Sequence, residues 1–253
     1  MQQDNAIEII DLKKAFVEGD YVLNGINLKI PKGKITVIIG YSGTGKSVLL
    51  KHILGLIKPT SGAIKVLGKD IASMSDEDTV HMRKHFGVLF QYAALFDDMS
   101  VIDNVLFPLN EHRKDLSKSQ RKEIAYEILK QSGLDEKHFK KLPGEISGGM
   151  RKRCGLARAL ALDPDIFVYD EPTTGLDPIL TEMVDNLILS THNRKEDTAS
   201  LVVSHDLYAA FRIGDYVAML DSGKVILHGP PKVFFESDNP LVARFVSKGV
   251  NKK

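Results

Sequence analysis

Residues 35–50 read Ile35-Thr36-Val37-Ile38-Ile39-Gly40-Tyr41-Ser42-Gly43-Thr44-Gly45-Lys46-Ser47-Val48-Leu49-Leu50. The β-branched run Ile35–Ile39 has the composition of a buried strand. Gly40 to Ser47 then has the spacing G-x-x-x-x-G-K-S, the P-loop pattern. Val48, Leu49, Leu50, Ile53 and Leu54 follow at helical spacing, and Gly55 marks the helix stop. A strand feeding a glycine-rich turn at a helix N-terminus is a phosphate trap. Its N–H groups converge, the helix dipole favours negative charge, and glycine lets the backbone come close. Lys46 is placed to reach β- and γ-phosphates and the Ser47 hydroxyl to ligate Mg²⁺.

Upstream, Ile7–Ile10 and Ile26–Ile30 alternate as strands do, with Gly19-Asp20 as a turn between them. Pro31 to Lys34 is a turn into the P-loop strand. Downstream, Ala63–Leu67 and Gly87–Phe90 read as strands, and 117–133 as a helix with Ile124, Ile128 and Leu129 on one face. A second helix begins at Ser147, carries Met150, Cys154, Ala157 and Leu160 at helical spacing, and ends at Asp163-Pro164. Ile166–Tyr169, Leu201–Val203 and Val217–Leu220 are further buried strands. Strands alternating with helices predict an α/β fold around a mostly parallel sheet, with antiparallel strands at the N-terminus. Residues 92–162 interrupt the alternation and predict an inserted helical subdomain. The core is expected over 1–91 and 163–246, and a fraying polar tail over 247–253.

Two further features bear on the chemistry. Asp170-Glu171 follows the Ile166 strand directly. A carboxylate at a strand end can hold Mg²⁺, which suits Asp170, and Glu171 one residue on can polarise water as a general base. Ser147-Gly148-Gly149-Met150 opens a helix with a hydroxyl and bare N–H groups, a second anion site.

Bulk composition narrows the function classes. The 253 residues suffice for one large core or two modest ones. With 34 basic against 33 acidic residues, there is no cationic excess of the kind that binds nucleic acid or an anionic membrane. Cys154 is the lone cysteine, so no intrachain disulfide forms and a reducing compartment is expected. The start, Met1 to Asn5, is polar and lacks a secretory signal pattern, and no apolar run approaches the ~20 residues of a membrane span. Membrane contact is therefore expected only through a partner.

Taken in order, the motifs resemble those of the ATP-binding-cassette (ABC) ATPases across essentially the whole chain. Walker A is Gly40–Ser47, the Q-loop glutamine Gln91, the signature Ser147–Met150 and Walker B 166–170, followed by Glu171, the D-loop Asp177 and the switch His205. The resemblance implies an ATPase that uses ATP and Mg²⁺, with Gln91, Glu171 and His205 in catalysis and Ser47, Gln91 and Asp170 near the metal. Gln91 would sense Mg²⁺ and the attacking water, and His205 the γ-phosphate. Phe16 sits where the family stacks an aromatic on adenine; Tyr21 is the rival, and a core role for Phe16 is the other reading. One motif set implies a homodimer in which Ser147, Gly148, Gly149 and Asp177 act in trans on the partner's nucleotide.

Within that family, the sequence shows no coiled-coil insertion between Walker A and Walker B, no second cassette and no C-terminal β-domain, and a stand-alone transporter ATPase is therefore expected. Met150 after the signature glycines, Val48 in the P-loop helix and the loop Phe90-Gln91-Tyr92-Ala93-Ala94-Leu95-Phe96-Asp97-Asp98-Met99 resemble ATPases that work with MCE-domain proteins, the Mla-type phospholipid transporters. This implies a multi-span permease as partner, an MCE-domain protein beyond it, and a peripheral place on the cytoplasmic side of the inner membrane. ATPases of polar amino-acid or other small-solute importers, and regulatory cell-division ABC ATPases, are the alternatives. Other features have plainer readings. His81 and His85 share a helical spacing but lack a third metal ligand. Arg151, Lys152 and Arg153 read as a solvated basic helix face, with tuning of the nucleotide site as the other reading, and Cys154 as a small buried residue. Leu95, Phe96 and Met99 are either core or permease contacts.

Overall fold

The structure, a computed structural model, describes residues 4–250, with side chains through 247. The chain divides into two compact units, Met1–Arg83 with His192–Lys253, and Lys84–Thr191. Before residue 84 run β1 (Asn5–Val17), β2 (Asp20–Pro31), β3 (Ile35–Ile39), α1 (Lys46–Ile53), β4 (Ser61–Val66), β5 (Lys69–Asp70) and α2 (Asp76–Arg83). Then come β6 (Phe86–Leu89), α3 (Val101–His112), α4 (Lys118–Gln131), α5 (Gly148–Leu160), β7 (Ile166–Asp170) and α6 (Pro178–His192). The chain returns to the first unit with β8 (Ala199–Ser204), α7 (Leu207–Ile213), β9 (Tyr216–Asp221), β10 (Lys224–Gly229), α8 (Lys232–Phe235) and α9 (Pro240–Val250).

In the first unit β1 and β2 form the expected hairpin, closing at the pair Val17↔Asp20 with Gly19 at φ 83°. With β4 and β5 they make an antiparallel sheet in the order β2-β1-β4-β5. The strand run β10-β9-β3-β8 is parallel from β9 to β8, and β10 adds antiparallel to β9. All five residues of β3 are buried, because this strand has a parallel neighbour on each side. α1 buries Leu49, Leu50 and Ile53, each worth about 1.5–3 kcal/mol of apolar burial. It stops as its sequence predicts. Gly55 takes φ 65°, its N–H reaches His52 O at 2.9 Å, and Leu56 N reaches Lys51 O at 2.8 Å, the paired bonds of a Schellman cap.

In the second unit β6 and β7 pair in parallel from Phe86↔Ile166 to Leu89↔Tyr169. The Ser117 helix start is a capping box, Gln120 N to Ser117 Oγ at 3.2 Å and Ser117 N to Gln120 Oε1 at 2.9 Å. The helical stretch expected over 92–162 lies inside this unit, which also takes in β6, β7 and most of α6. At the C-terminus α9 keeps residues 247–250 of the expected tail helical, and 251–253 lie outside the described residues. No helix among the described residues is long and apolar enough to cross a membrane.

Candidate nucleotide site

The first unit holds the P-loop, His205, Phe16 and Tyr21. β3 and β8 run parallel and in register to the pair Ile39↔Ser204. The chain therefore leaves adjacent strand ends at the same level, as Gly40 on one side and His205 on the other. Carboxyl ends of parallel strands are where open α/β sheets bind ligands. Gly40, at φ 157°, has no room for a side chain: a Cβ would stand 2.3 Å from Leu220 O and 2.9 Å from Thr44 Oγ1. Gly45, the residue before α1, sits at φ 104° with Leu23 2.7 Å from where its Cβ would be. Both glycines are required by backbone shape and close packing.

The loop's donor set fits an anion. α1 has no side-chain cap and no acidic residue in its first turn, so its leading N–H groups and dipole are uncompensated by a carboxylate. Thr44 Oγ1 donates to Tyr41 O at 2.9 Å and braces the turn. Lys46 is buried, and its ammonium donates to Gly40 O at 2.8 Å and Tyr41 O at 3.0 Å, within the loop itself. Ser42, Gly43 and Ser47 are exposed. The Tyr41 ring meets Phe245 of α9 edge-on at 4.9 Å. His205 is exposed, and Asp206 beside it caps α7 by accepting from Tyr208 N at 2.9 Å and Ala209 N at 3.2 Å. On the β1–β2 hairpin Phe16 is 62% exposed and Tyr21 44%, which removes the core reading of Phe16 and leaves both rings open to a planar ligand. Lys14 Nζ lies 5.2 Å from the Phe16 centroid.

The second unit holds Gln91, Ser147–Met150, Asp170, Glu171 and Asp177. Phe90 and Asp170 are one residue beyond the last β6–β7 pair, and Gln91 and Glu171 two beyond. The Gln91 side chain donates to Tyr92 OH at 3.3 Å. Glu171 has a left-handed φ of 48°, rare for a residue with a side chain. Thr174 supports it, its Oγ1 donating to Glu171 Oε2 at 3.0 Å and its N–H to Glu171 O at 3.3 Å. Ser147 caps α5 by accepting from Met150 N at 3.2 Å, and Ser147 and Gly148 are exposed. Asp177 is exposed and accepts from Leu180 N at 2.9 Å at the start of α6.

The basic run after the signature departs from its expected place. None of Arg151, Lys152 and Arg153 is solvated throughout, because each reaches backbone carbonyls of neighbouring segments. Arg151 donates to Ile146 O at 2.7 Å and Arg153 to Gly133 O at 2.9 Å. Lys152 is buried and donates to Gln91 O and to Pro172 O, the latter at 2.6 Å. Burial brings its ammonium down to about 8, which leaves it charged at neutral pH. Arg158, one turn and a half further, donates to Ala93 O and Ala94 O at 2.7 Å each. Both alanines have left-handed φ, 62° and 46°. Arg158 and Thr174 are functional candidates that sequence reasoning passed over, and Lys152 is one whose place it misjudged as solvated. Gly155 is a signal for the two cations, a mid-helix glycine three residues from each, where a Cβ would come 2.9 Å from that of Ala93.

Other expectations resolve simply. Tyr92 is 80% exposed, Phe96 is exposed, and Leu95 and Met99 are half-buried, so this loop is an apolar surface rather than core. Phe96 packs on Phe107 at 4.8 Å. His85 lies beyond α2, and its Nδ1 pairs with Asp165 at 2.6 Å instead of sharing a helix face with His81. Cys154 is buried, and burial pushes its thiol up to about 12.

A sequence profile described as ABC transporter matches residues 23–174. The probable ribonucleotide transport ATP-binding protein mkl of Mycobacterium leprae is 44% identical over 96% of this chain and 69% of its own length. The chain spans about two thirds of the length of such mycobacterial relatives. The intermembrane phospholipid transport system ATP-binding protein MlaF of Haemophilus influenzae is 41% identical over 96% of this chain and 90% of its own. Among solved structures, a dimeric ATP-binding cassette in a post-hydrolysis state, bound to ADP and Pi, superposes with a TM-score of 0.80 at 31% identity, over 89% of this chain and 98% of that one.

Proposed function

This chain belongs to the ABC transporter family, and from that premise we propose that it is the ATP-hydrolysing subunit of a machine that moves phospholipid between membranes. It has the fold of an ABC ATPase, an enzyme that converts ATP and water to ADP and phosphate and couples this to transport. The observation that carries the cargo reading is the 41% identity to a phospholipid-transport ATP-binding protein, which extends over 96% of this chain and 90% of that one.

The proposed residue roles are those the family resemblance implies. The backbone of Gly40, Tyr41, Ser42, Gly43, Thr44 and Gly45 binds phosphate, and Lys46 exchanges its two loop carbonyls for phosphate oxygens. Phe16 or Tyr21 stacks on adenine. Ser47, Gln91 and Asp170 would hold Mg²⁺, which would neutralise charge on the β- and γ-phosphates. Glu171 accepts the proton of the attacking water, and His205 donates to the γ-phosphate. Ser147, Gly148, Gly149 and Asp177 serve the nucleotide of a second copy. The dimeric cassette among the structural relatives supports that arrangement. Mixing Ser147→Arg with Lys46→Ala subunits tests it. Both lesions can then fall on one composite site, so activity returns on mixing if the arrangement is in trans and stays lost if it is not.

The apolar surface after Gln91, with Tyr92, Leu95, Phe96 and Met99, docks a multi-span permease that leads in turn to an MCE-domain protein. On this reading the chain works at the cytoplasmic face of the inner membrane. A second cargo reading has its own observation, the name of the mycobacterial relatives, which specifies ribonucleotide transport. Affinity purification from membranes, with the co-purified subunits and lipid identified, separates the two. A permease with an MCE protein and bound phospholipid supports the proposal; a permease whose complex retains nucleotide and no MCE protein overturns it.

A further inference from the structure

Three segments of the second unit carry groups the chemistry uses: Gln91 after β6, Asp170-Glu171 at the end of β7, and Ser147 at the start of α5. One side chain joins all three. Lys152 is 6% exposed and lies early in α5. Its ammonium donates to the carbonyl of Gln91 itself and to that of Pro172, the residue directly after Glu171. These partners are 61 and 20 residues away in sequence, so the bonds are tertiary.

The geometry at both ends needs holding. Glu171 is in the left-handed region, which for a residue with a side chain costs on the order of 1–3 kcal/mol and persists only where the surroundings fix it. Lys152 pins the next carbonyl, and Thr174 the carboxylate. After Gln91, Ala93 and Ala94 are also left-handed, and Arg158 holds both carbonyls. Lys152, Gly155 and Arg158 recur every third residue, so one face of α5 grips the whole segment. Gly155 permits the approach, because any Cβ there would meet Ala93.

We propose that Lys152 is a positioning residue for ATP hydrolysis: it couples the signature helix to the backbone of Gln91 and of the peptide beyond Glu171, so that these groups hold one geometry together. This rests on the ATPase reading above. The residue touches neither nucleotide nor water and acts through Gln91 and Glu171. A side chain that can donate to both carbonyls preserves the link, and an apolar one of the same length breaks it while leaving a part-buried and a buried acceptor without this donor.

The test compares wild type, Lys152→Met, Lys152→Arg and Glu171→Gln as purified full-length protein, with MgATP turnover, fluorescent-nucleotide affinity and melting temperature measured on each. Lys152→Met is expected to lower kcat on the order of 10²-fold, as small misplacements of catalytic groups do, with KM and nucleotide affinity close to wild type. Lys152→Arg should restore most of kcat. A purely structural lysine would instead lower the melting temperature and leave kcat per folded molecule unchanged. Wild-type kcat in Lys152→Met, or a loss confined to KM that Arg does not recover, overturns the inference. If Lys152→Met does not fold, Lys152→Ala, which has no donor and leaves room for water on the two carbonyls, replaces it: reduced kcat at unchanged KM supports the role, and wild-type kcat overturns it. A wild type without turnover would refute the ATPase reading itself. Turnover abolished in Glu171→Gln and unaltered in Lys152→Met would leave that reading intact and reject the role of Lys152 alone.

Discussion

Lys46 and Lys152 are both buried lysines whose ammonium groups rest on pairs of backbone carbonyls, one in each unit. Lys46 bonds to Gly40 and Tyr41, 6 and 5 residues back, inside its own loop. Lys152 bonds to Gln91 and Pro172, on two segments remote from its helix. The first arrangement closes a loop on itself, and on the proposed reading its carbonyls are exchanged for phosphate oxygens. The second ties separate segments together. A buried cation on carbonyls can thus be a waiting ligand site or a strut, and the sequence distance to its partners tells which.

The largest effect should come from Glu171→Gln. General-base loss lowers kcat by roughly 10²–10⁴-fold. Nucleotide affinity should remain, because the proposal assigns binding to the P-loop in the other unit; stopped turnover with lost affinity would erase the division of labour. Lys46→Ala sharpens the contrast from the other side. Loss of a preorganised cation on developing phosphate charge costs about 10²–10³-fold in turnover, and here affinity should fall too. Equilibrium binding of fluorescent ATP decides, and unchanged affinity would mean that Lys46 is a strut like Lys152.

Arg158→Ala probes the strut side without touching Lys152. It removes the donor from the part-buried Ala93 carbonyl and from the exposed Ala94 carbonyl, where water can replace it, and should destabilise the protein by about 1.5 kcal/mol in chemical denaturation, the low end for a hydrogen bond to a charged group. A change under half a kcal/mol would show that the left-handed pair holds itself. The smallest effect is Ser147→Ala, which removes the α5 cap at a cost of about 1 kcal/mol.

The contrast between the lysines also explains how much could be read beforehand. The P-loop, its strand and its helix are written in sixteen consecutive residues whose φ demands and periodicity are local. The strand ahead of Asp170 is legible for the same reason, an unbroken apolar run. The signature helix start was legible as a cap, Ser147 before two glycines. The basic face of α5 was not, because charge at helical spacing reads as solvated unless the carbonyls it meets are known, and those lie far along the chain. The left-handed φ of Glu171, Ala93 and Ala94 was equally hidden, since tertiary bonds and not residue type impose it. For His85 the helical spacing misled, because α2 ends at Arg83.

The proposed function has ATP turnover by this chain drive phospholipid movement. The most direct measurement is transfer of a labelled phospholipid by the chain reconstituted with its permease in vesicles, with MgATP, for wild type and Glu171→Gln. Wild type should transfer lipid at a rate that follows ATP consumption, and Glu171→Gln should bind ATP and transfer none. ATP consumption by wild type without lipid movement, or lipid movement undiminished in Glu171→Gln, would contradict the claim.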